Sequence, residues 1–171
     1  MPVIAVVNRK GGSGKSTLAT HLAAWLAAQG MAVMLGDVDR QQSTRAWLRR
    51  RSPTLPAIVP WAMDEKNVLK APPGVTHVVL DTPGGMRGFE LAKVVMSADA
   101  IIIPVCNSMF DRESASACVA ELMALPRVAS GRCRIGSNTS LRASANNTWR
   151  NNEMNNGIRA REPSSLITTG G

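Results

Sequence analysis

The chain is predicted to be an α/β protein: a mostly parallel sheet with helices on both faces. Three observations predict this class. Strand-like apolar runs alternate with helix-patterned segments as far as about residue 126, the rhythm of βαβ units. A glycine-rich segment, residues 10–17, joins the first such run directly to the first helix, a strand–loop–helix order with a known structural logic. The 171 residues, 44% of them hydrophobic, suffice for one ordinary domain with a core.

The elements follow in order. Residues 3–7, Val-Ile-Ala-Val-Val, read as a buried strand, and Leu18 to Leu26 as helix ending at Gln29 and Gly30, with the glycine as a left-handed cap. Residues 32–35 are a second buried strand, closed by Gly36-Asp37-Val38-Asp39. Residues 43–51 read as a helix that stops before Pro53, because the residue ahead of a proline disfavours helical backbone. Residues 57–61 make a short strand candidate in spite of Pro60, which withholds a ladder donor. Residues 77–80 are a further strand, closed by Asp81-Thr82-Pro83-Gly84-Gly85; 89–96 are helical in pattern and 100–105 are strand again. Asp111 is the expected N-cap of a helix reaching about Leu125, with Pro126 as its stop.

Beyond residue 131 Ser, Asn, Thr, Gly and Arg dominate, and Ile135, Leu141, Trp149, Met154, Ile158 and Leu166 stand isolated. Neither a strand period nor a helix period persists there. The chain therefore divides into a domain at 1–130 and a low-complexity, weakly ordered tail at 131–171.

The net charge of +8 and pI near 10.5 favour polyanionic partners such as nucleic acid, with a solvated basic surface as an equal alternative on charge alone. Three cysteines without a C-x-x-C spacing imply neither a disulfide framework nor a zinc site. A reducing compartment fits them, and Cys106 and Cys118, in apolar runs, are expected to be buried. The first apolar stretch runs into Arg9-Lys10 rather than a cleavage site, so it is not a signal peptide. No run reaches transmembrane length. A cytoplasmic protein is expected.

The chemistry concentrates in Lys10-Gly11-Gly12-Ser13-Gly14-Lys15-Ser16-Thr17. Glycines let successive backbone N–H groups converge on phosphate oxygens, and the following helix adds its positive end. Residues 11–17 form the expected phosphate-binding set: Lys15 reaches the β- and γ-phosphates, and the Ser16 hydroxyl holds Mg²⁺. A glycine turn without a ligand is the plainer alternative, and the agreement of motif with strand–helix context argues against it.

The K-G-G-x-G-K-[ST] form, with Arg9 at the usual first glycine and an extra lysine at Lys10, resembles the deviant Walker A motif of the ParA/MinD family of P-loop ATPases. Two further strand ends resemble that family in order and spacing. Asp81 before Thr82-Pro83-Gly84 matches a Walker B aspartate and would hold Mg²⁺, with Gly84-Gly85 as a switch sensing the γ-phosphate. Asp37-Val38-Asp39-Arg40-Gln41-Gln42-Ser43 resembles the D-x-D-P-Q segment, with Arg40 in place of proline. There Asp39 matches the aspartate that orients the attacking water, and Asp37 would lie nearer the Mg²⁺ shell. The plainer reading of Asp37 and Asp39 is an acidic cluster at a helix N-terminus. Arg49-Arg50-Arg51 reads first as cations at a helix C-terminus, and as a nucleic-acid contact second.

The resemblance covers residues 1 to about 126 and implies a P-loop fold that binds Mg·ATP. It also implies catalytic roles for Lys10, Lys15 and Asp39: Lys10 completes the site of the opposing subunit in an ATP-dependent homodimer. Slow hydrolysis stimulated by a ParB-like partner and non-specific DNA binding on the nucleoid follow, with no membrane partner. Small ParA-type partition ATPases, which distribute plasmids, chromosomes or large assemblies, are the nearest group. Such proteins continue with a strand ending in an adenine-contacting loop. Arg134-Ile135-Gly136 looks like its start, and Ser137-Asn138-Thr139-Ser140 breaks it off. The fold is therefore expected to be incomplete at its C-terminal side, with a non-family terminus after about Gly136, as truncation or a frame change would produce.

Three other readings compete. An inert nucleotide-binding module would keep the loop and lose turnover. A MinD-like membrane-cycling ATPase needs a basic amphipathic C-terminal helix, which residues 164–171 do not supply. A relative of nitrogenase iron protein needs two cysteines per subunit around a shared cluster, and Cys106 and Cys118 occupy no evident switch positions.

Overall fold

The computed structural model describes residues 1–39, 41–62 and 71–137. Expectations for the tail from residue 138 onward, and for Arg40, lie outside the described residues. Met1–Thr139 forms one compact unit. Its order is β1 (Val3–Val6), α1 (Lys15–Ala28), β2 (Val33–Asp37), α2 (Ser43–Arg50), β3 (Ile58–Ala62), β4 (His77–Asp81), α3 (Gly88–Ser97), β5 (Ala100–Ile103), α4 (Met109–Met123), α5 (Pro126–Ala129) and β6 (Arg134–Ser137). The six strands form one sheet in the order β3-β2-β4-β1-β5-β6, and every described pairing is parallel.

Parallel strands joined by helices must be covered on both faces, and the side-chain alternation shows how. Val3, Ala5, Val7, Met34, Val78, Leu80, Ile101 and Ile103 face α3 and α4, meeting Leu91, Val95, Ala115 and Leu122. Val6, Val33, Leu35 and Val79 face the other way, onto Ala19, Ala23 and Leu26 of α1, with Trp47 and Leu48 of α2 packed alongside. The two cores are the two faces of one pleated sheet, as the period of two requires.

Several boundaries differ from expectation, each for a local reason. Strand β2 runs on through Gly36 to Asp37, because Gly36 leaves room for Leu80 and Trp61: a Cβ there would lie 2.7 Å from each. Pro60 is accommodated because β3 is the edge strand and pairs on one side only, with β2. Asp111 is not the N-cap of α4. Ser108 is: its Oγ accepts the Asp111 N–H at 3.1 Å and donates to the Asp111 carboxylate, a reciprocal arrangement like the capping box. Helix α4 stops at Met123, ahead of Pro126 as expected, and Pro126 then opens α5, at a position where its missing N–H costs nothing. The boundary drawn at residue 130 precedes β6, which pairs with β5 from Arg134 to Ser137. Among the described residues no helix is long and apolar enough to cross a membrane.

Candidate functional site

Parallel α/β sheets bind ligands beyond the carboxyl ends of their strands, and the loops there gather the residues singled out above. Strand β1 lies between β4 and β5, so the loop that leaves it after Val7 rises beside the ends of both. Asn8 anchors its start. This buried side chain donates to the Pro104 carbonyl at 2.7 Å and accepts the Lys10 N–H at 2.9 Å, tying the loop to the end of β5. Gly14, with φ of 85°, turns the loop into α1 without a side-chain cap, so the N–H groups of the first turn stay available to an anion.

Lys15 is the first residue of α1 and is buried. Its ammonium donates to the Lys10 carbonyl at 2.9 Å and lies 3.5 Å from Ser13 Oγ. Burial lowers its pKa, against the attraction of the Asp81 and Asp39 carboxylates. The loop therefore wraps its own lysine, and a bound phosphate would supply the anion that this ammonium lacks.

Asp81 ends β4 in register with Val6 on one side and Asp37 on the other. It is fully buried, and neither carboxylate oxygen has a hydrogen-bond partner. Burial pushes its pKa up to about 6, and Asp37 and Asp39 add to the rise. The Ser16 hydroxyl and the Lys15 ammonium pull the other way without completing a hydrogen bond. A buried carboxylate in this condition is stable only when protonated or when a cation joins it. Ser16 and Asp81 thus form an oxygen pair suited to a divalent cation. Among the described residues no three His, Cys, Asp or Glu groups converge on a metal cage, so such an ion would draw its other ligands from phosphate and water, as Mg²⁺ does.

Asp37 has a different occupation. Its Oδ2 accepts the Thr44 and Arg45 N–H groups and the Thr44 hydroxyl at 2.7–3.2 Å, and its Oδ1 accepts the Asp39 N–H at 3.1 Å. Both oxygens serve the first turn of α2 and the bend before it, the geometry of the capping alternative. Asp39 is half-buried, with Oδ1 accepting the Gln41 N–H at 3.0 Å. It lies near enough to Lys15 and Asp81 to influence both.

Residues 82–85 close the site. Thr82 Oγ1 donates to the Val6 carbonyl at 2.7 Å, and the Gly85 N–H donates to the Arg9 carbonyl at 2.8 Å. A Cβ on Gly84 would stand 3.1 Å from Gly11 Cα, so glycine at 84 permits the close approach of the two loops. On the other flank Lys10 Nζ pairs with Asp111 at 2.8 Å. That lysine and the Ser108 hydroxyl hold the Asp111 carboxyl below its usual range.

The structure thus gathers Lys10, Lys15, Ser16, Asp39 and Asp81 around residues 11–17 and assigns Asp37 to α2. Sequence reading gave no role to Asn8, Ser108 or Thr82; of the three, only Asn8 carries the signal of a polar residue directly after an apolar run. Cys106, expected to be buried, is exposed, its Sγ 3.9 Å from the Ser13 carbonyl, because β5 ends at Ile103 and leaves it in a loop. Cys118 is buried as expected.

Residues 4–156 match the CobQ/CobB/MinD/ParA nucleotide-binding domain. The chain belongs to this family. The match of this CobQ/CobB/MinD/ParA domain runs past Gly136 into residues outside the described set. The chain is 38% identical over 111 residues to the maintenance of carboxysome distribution protein A of Gloeobacter kilaueensis, covering 64% of this chain and 51% of that protein. The chain thus spans about half the length of the curated relatives it matches. The domain's fold also recurs in solved structures. Cobyrinic acid a,c-diamide synthase from Mycobacterium smegmatis with bound ADP and magnesium superposes with TM-score 0.61 and 18% identity, over 80% of this chain and 73% of that one. The ParA of pNOB8 bound to nonspecific DNA gives TM-score 0.58 and 18% identity, over 71% and 59%.

Proposed function

We propose that the chain is a positioning ATPase of the ParA kind. It binds Mg·ATP on residues 11–17, pairs with a second copy across the nucleotide, hydrolyses slowly under a ParB-like partner, and binds DNA without sequence preference. The observation that carries this reading is Asp81: a buried carboxylate without a hydrogen-bond partner, beside Ser16 and Lys15 at the mouth of a glycine loop. Those residues fit Mg·ATP, with Ser16 and Asp81 as the protein's ligands to the metal. Bound Mg²⁺ would draw charge off the phosphates.

The placement of the residues supports the following roles. Lys15 and the loop amides neutralise phosphate oxygens, and Gly84 and Gly85, pressed on the loop, register whether a terminal phosphate is present. Asp39, at the bend beyond β2, aligns the attacking water. Lys10 leaves Asp111 to reach the partner's phosphates. Pairing finds support in the exposed Phe89, Met109 and Phe110, at 84%, 80% and 74%. They stand in the first turns of α3 and α4, at the same edge of the sheet as the loop, where large apolar side chains call for a cover. The carboxysome-distribution relative supports positioning as the task, the DNA-bound ParA neighbour and the charge of +8 support DNA as the substratum, and the ADP–magnesium neighbour supports the cofactor. The nucleoid within the cytoplasm is the site this implies.

Turnover of Lys10→Ala tests the reading. Mg·ATP affinity should stay within about twofold of the parent while hydrolysis falls to background, a loss of 10² or more, as for other groups that stabilise transferring phosphate. Equal turnover in variant and parent would remove Lys10 from the chemistry. A parent already at background with DNA and partner present would leave the inert nucleotide-binding module.

A further inference from the structure

We infer that the outer face of α2 is a docking surface for the phosphate backbone of duplex DNA. The inference rests on the DNA-binding part of the proposed function and gives it a location. Helix α2 divides cleanly. Thr44 is buried, and Trp47 and Leu48 pack onto the α1-side core. Arg45, Arg49 and Arg50 face solvent. Arg51 is turned back onto the fold, with its guanidinium 5.8 Å from the Trp47 ring centre and a hydrogen bond to the Pro56 carbonyl. It builds the helix end; Arg45 keeps to the exposed face, where its guanidinium donates to Gln42 Oε1 at 3.1 Å, and Arg49 and Arg50 are exposed beside it.

A favourable helix dipole explains Arg49 and Arg50, which sit in the last turn. It does not explain Arg45. That residue stands in the first turn, at the positive end of the dipole, and four residues from Arg49; both oppose its charge, offset in part by the buried Asp37 carboxylate that accepts the Arg45 N–H. Nor is this an ordinary surface of mixed sign. From Arg40 to Met63 the sequence holds five arginines and no acidic residue. Among the described residues the ion pairs are Arg9–Glu121, Lys10–Asp111 and Arg127–Asp99, none on α2. A face that gathers like charges at some cost in stability fits a polyanion.

The spacing suits nucleic acid. Arg45 and Arg49 are about 6 Å apart along the helix axis, against roughly 3.4 Å of rise per phosphate on one strand, so they meet every second phosphate. A membrane surface fits less well, because interfacial helices turn their Trp and Leu outward and here Trp47 and Leu48 point inward. The surface lies over β2 and the edge strand β3, at the opposite end of the sheet from β5 and β6. DNA there would leave the apolar side chains of α3 and α4 free for a second copy.

The test is fluorescence anisotropy of labelled duplexes of unrelated sequence with the full chain and Mg·ATP, across a salt series. The R45Q/R49Q/R50Q variant should bind every duplex at least about tenfold more weakly. Its log-affinity against log-salt slope should be shallower by about one unit per arginine. The R45K/R49K/R50K variant should keep the parent slope. A charge-matched control, K93Q/R132Q/R134Q, should behave like the parent. Should the triple glutamine variant lose nucleotide affinity through misfolding, Arg49→Gln alone should still lower the slope by about one. Parent-like DNA binding by the α2 variants, with loss in the control set, would overturn the location and leave the DNA reading standing. No DNA binding by the parent would overturn both. Binding to phosphatidylglycerol-containing vesicles through the same arginines, without DNA binding, would replace DNA with a lipid surface.

Discussion

At the residue scale, Asp81 sets function against stability. Its pKa, raised from 3.8 to about 6, lies above the unfolded value, so the folded chain holds a proton that the unfolded chain has released. This contribution to stability is therefore present below about pH 4 and is lost as pH rises through 6. A shift of this size corresponds to about 3 kcal/mol. Asp81→Asn cannot ionise, so the parent's melting temperature minus the variant's should fall by roughly 6–12 °C between pH 4 and pH 7. Other titrations cancel in that difference, including Asp111, whose lowered pKa takes stability away as pH falls. The same change should abolish Mg²⁺-dependent nucleotide binding, and in the parent that binding should weaken below pH 6, as protonation competes with the cation. A melting difference that does not move with pH would mean that Asp81 is already neutralised by the protein.

At the element scale, α2 hangs from the end of β2 through a single carboxylate. Asp37→Ala removes the acceptor for three N–H groups and one hydroxyl, two of the four bonds buried and two partly buried. Unsatisfied groups of this kind, with the loss of a helix cap, should cost about 2–4 kcal/mol, read as a lower urea midpoint. If Asp37 were chiefly a metal ligand, the variant would hold its midpoint without Mg²⁺ and lose only nucleotide binding. The sequence alone could not settle this choice, because a carboxylate at a strand end before a helix suits either role. What it did make legible was whatever local pattern dictates: the apolar runs of β1, β4 and β5, the glycine loop between β1 and α1, and the basic run of α2. It failed where partners far along the chain decide. The role of Asp111 is one such case: Ser108, three residues before it, supplies the cap, while the Asp111 carboxylate pairs with Lys10, a hundred residues earlier. Asn8 is functional through Pro104, and Pro60 is tolerated only because β3 has one neighbour.

At the scale of the whole molecule the proposed pairing across the nucleotide requires Lys10 to leave Asp111. In the single chain the pair is 2.8 Å apart, with the Asp111 side chain nearly buried and that of Lys10 41% exposed. The lysine is thus docked at the rim of the site rather than inside it. A half-exposed ion pair is worth little in water, so a partner's phosphates, carrying more charge, can compete for the lysine once nucleotide is bound. Hydrolysis would dissolve what it completes, and blocking hydrolysis should trap the pair. Asp39→Ala with Mg·ATP should therefore double its light-scattering mass, and with Mg·ADP should remain a monomer. Adding Lys10→Ala should abolish the doubling without altering nucleotide affinity if, as proposed, this lysine serves the phosphates of the other copy. Asp111→Asn should act in the opposite direction, lowering the protein concentration needed for doubling, since the lysine then has less to leave. A monomeric Asp39→Ala under saturating Mg·ATP would sink the sandwich. An undiminished dimer in the double variant would move pairing away from Lys10 and onto the apolar side chains of α3 and α4.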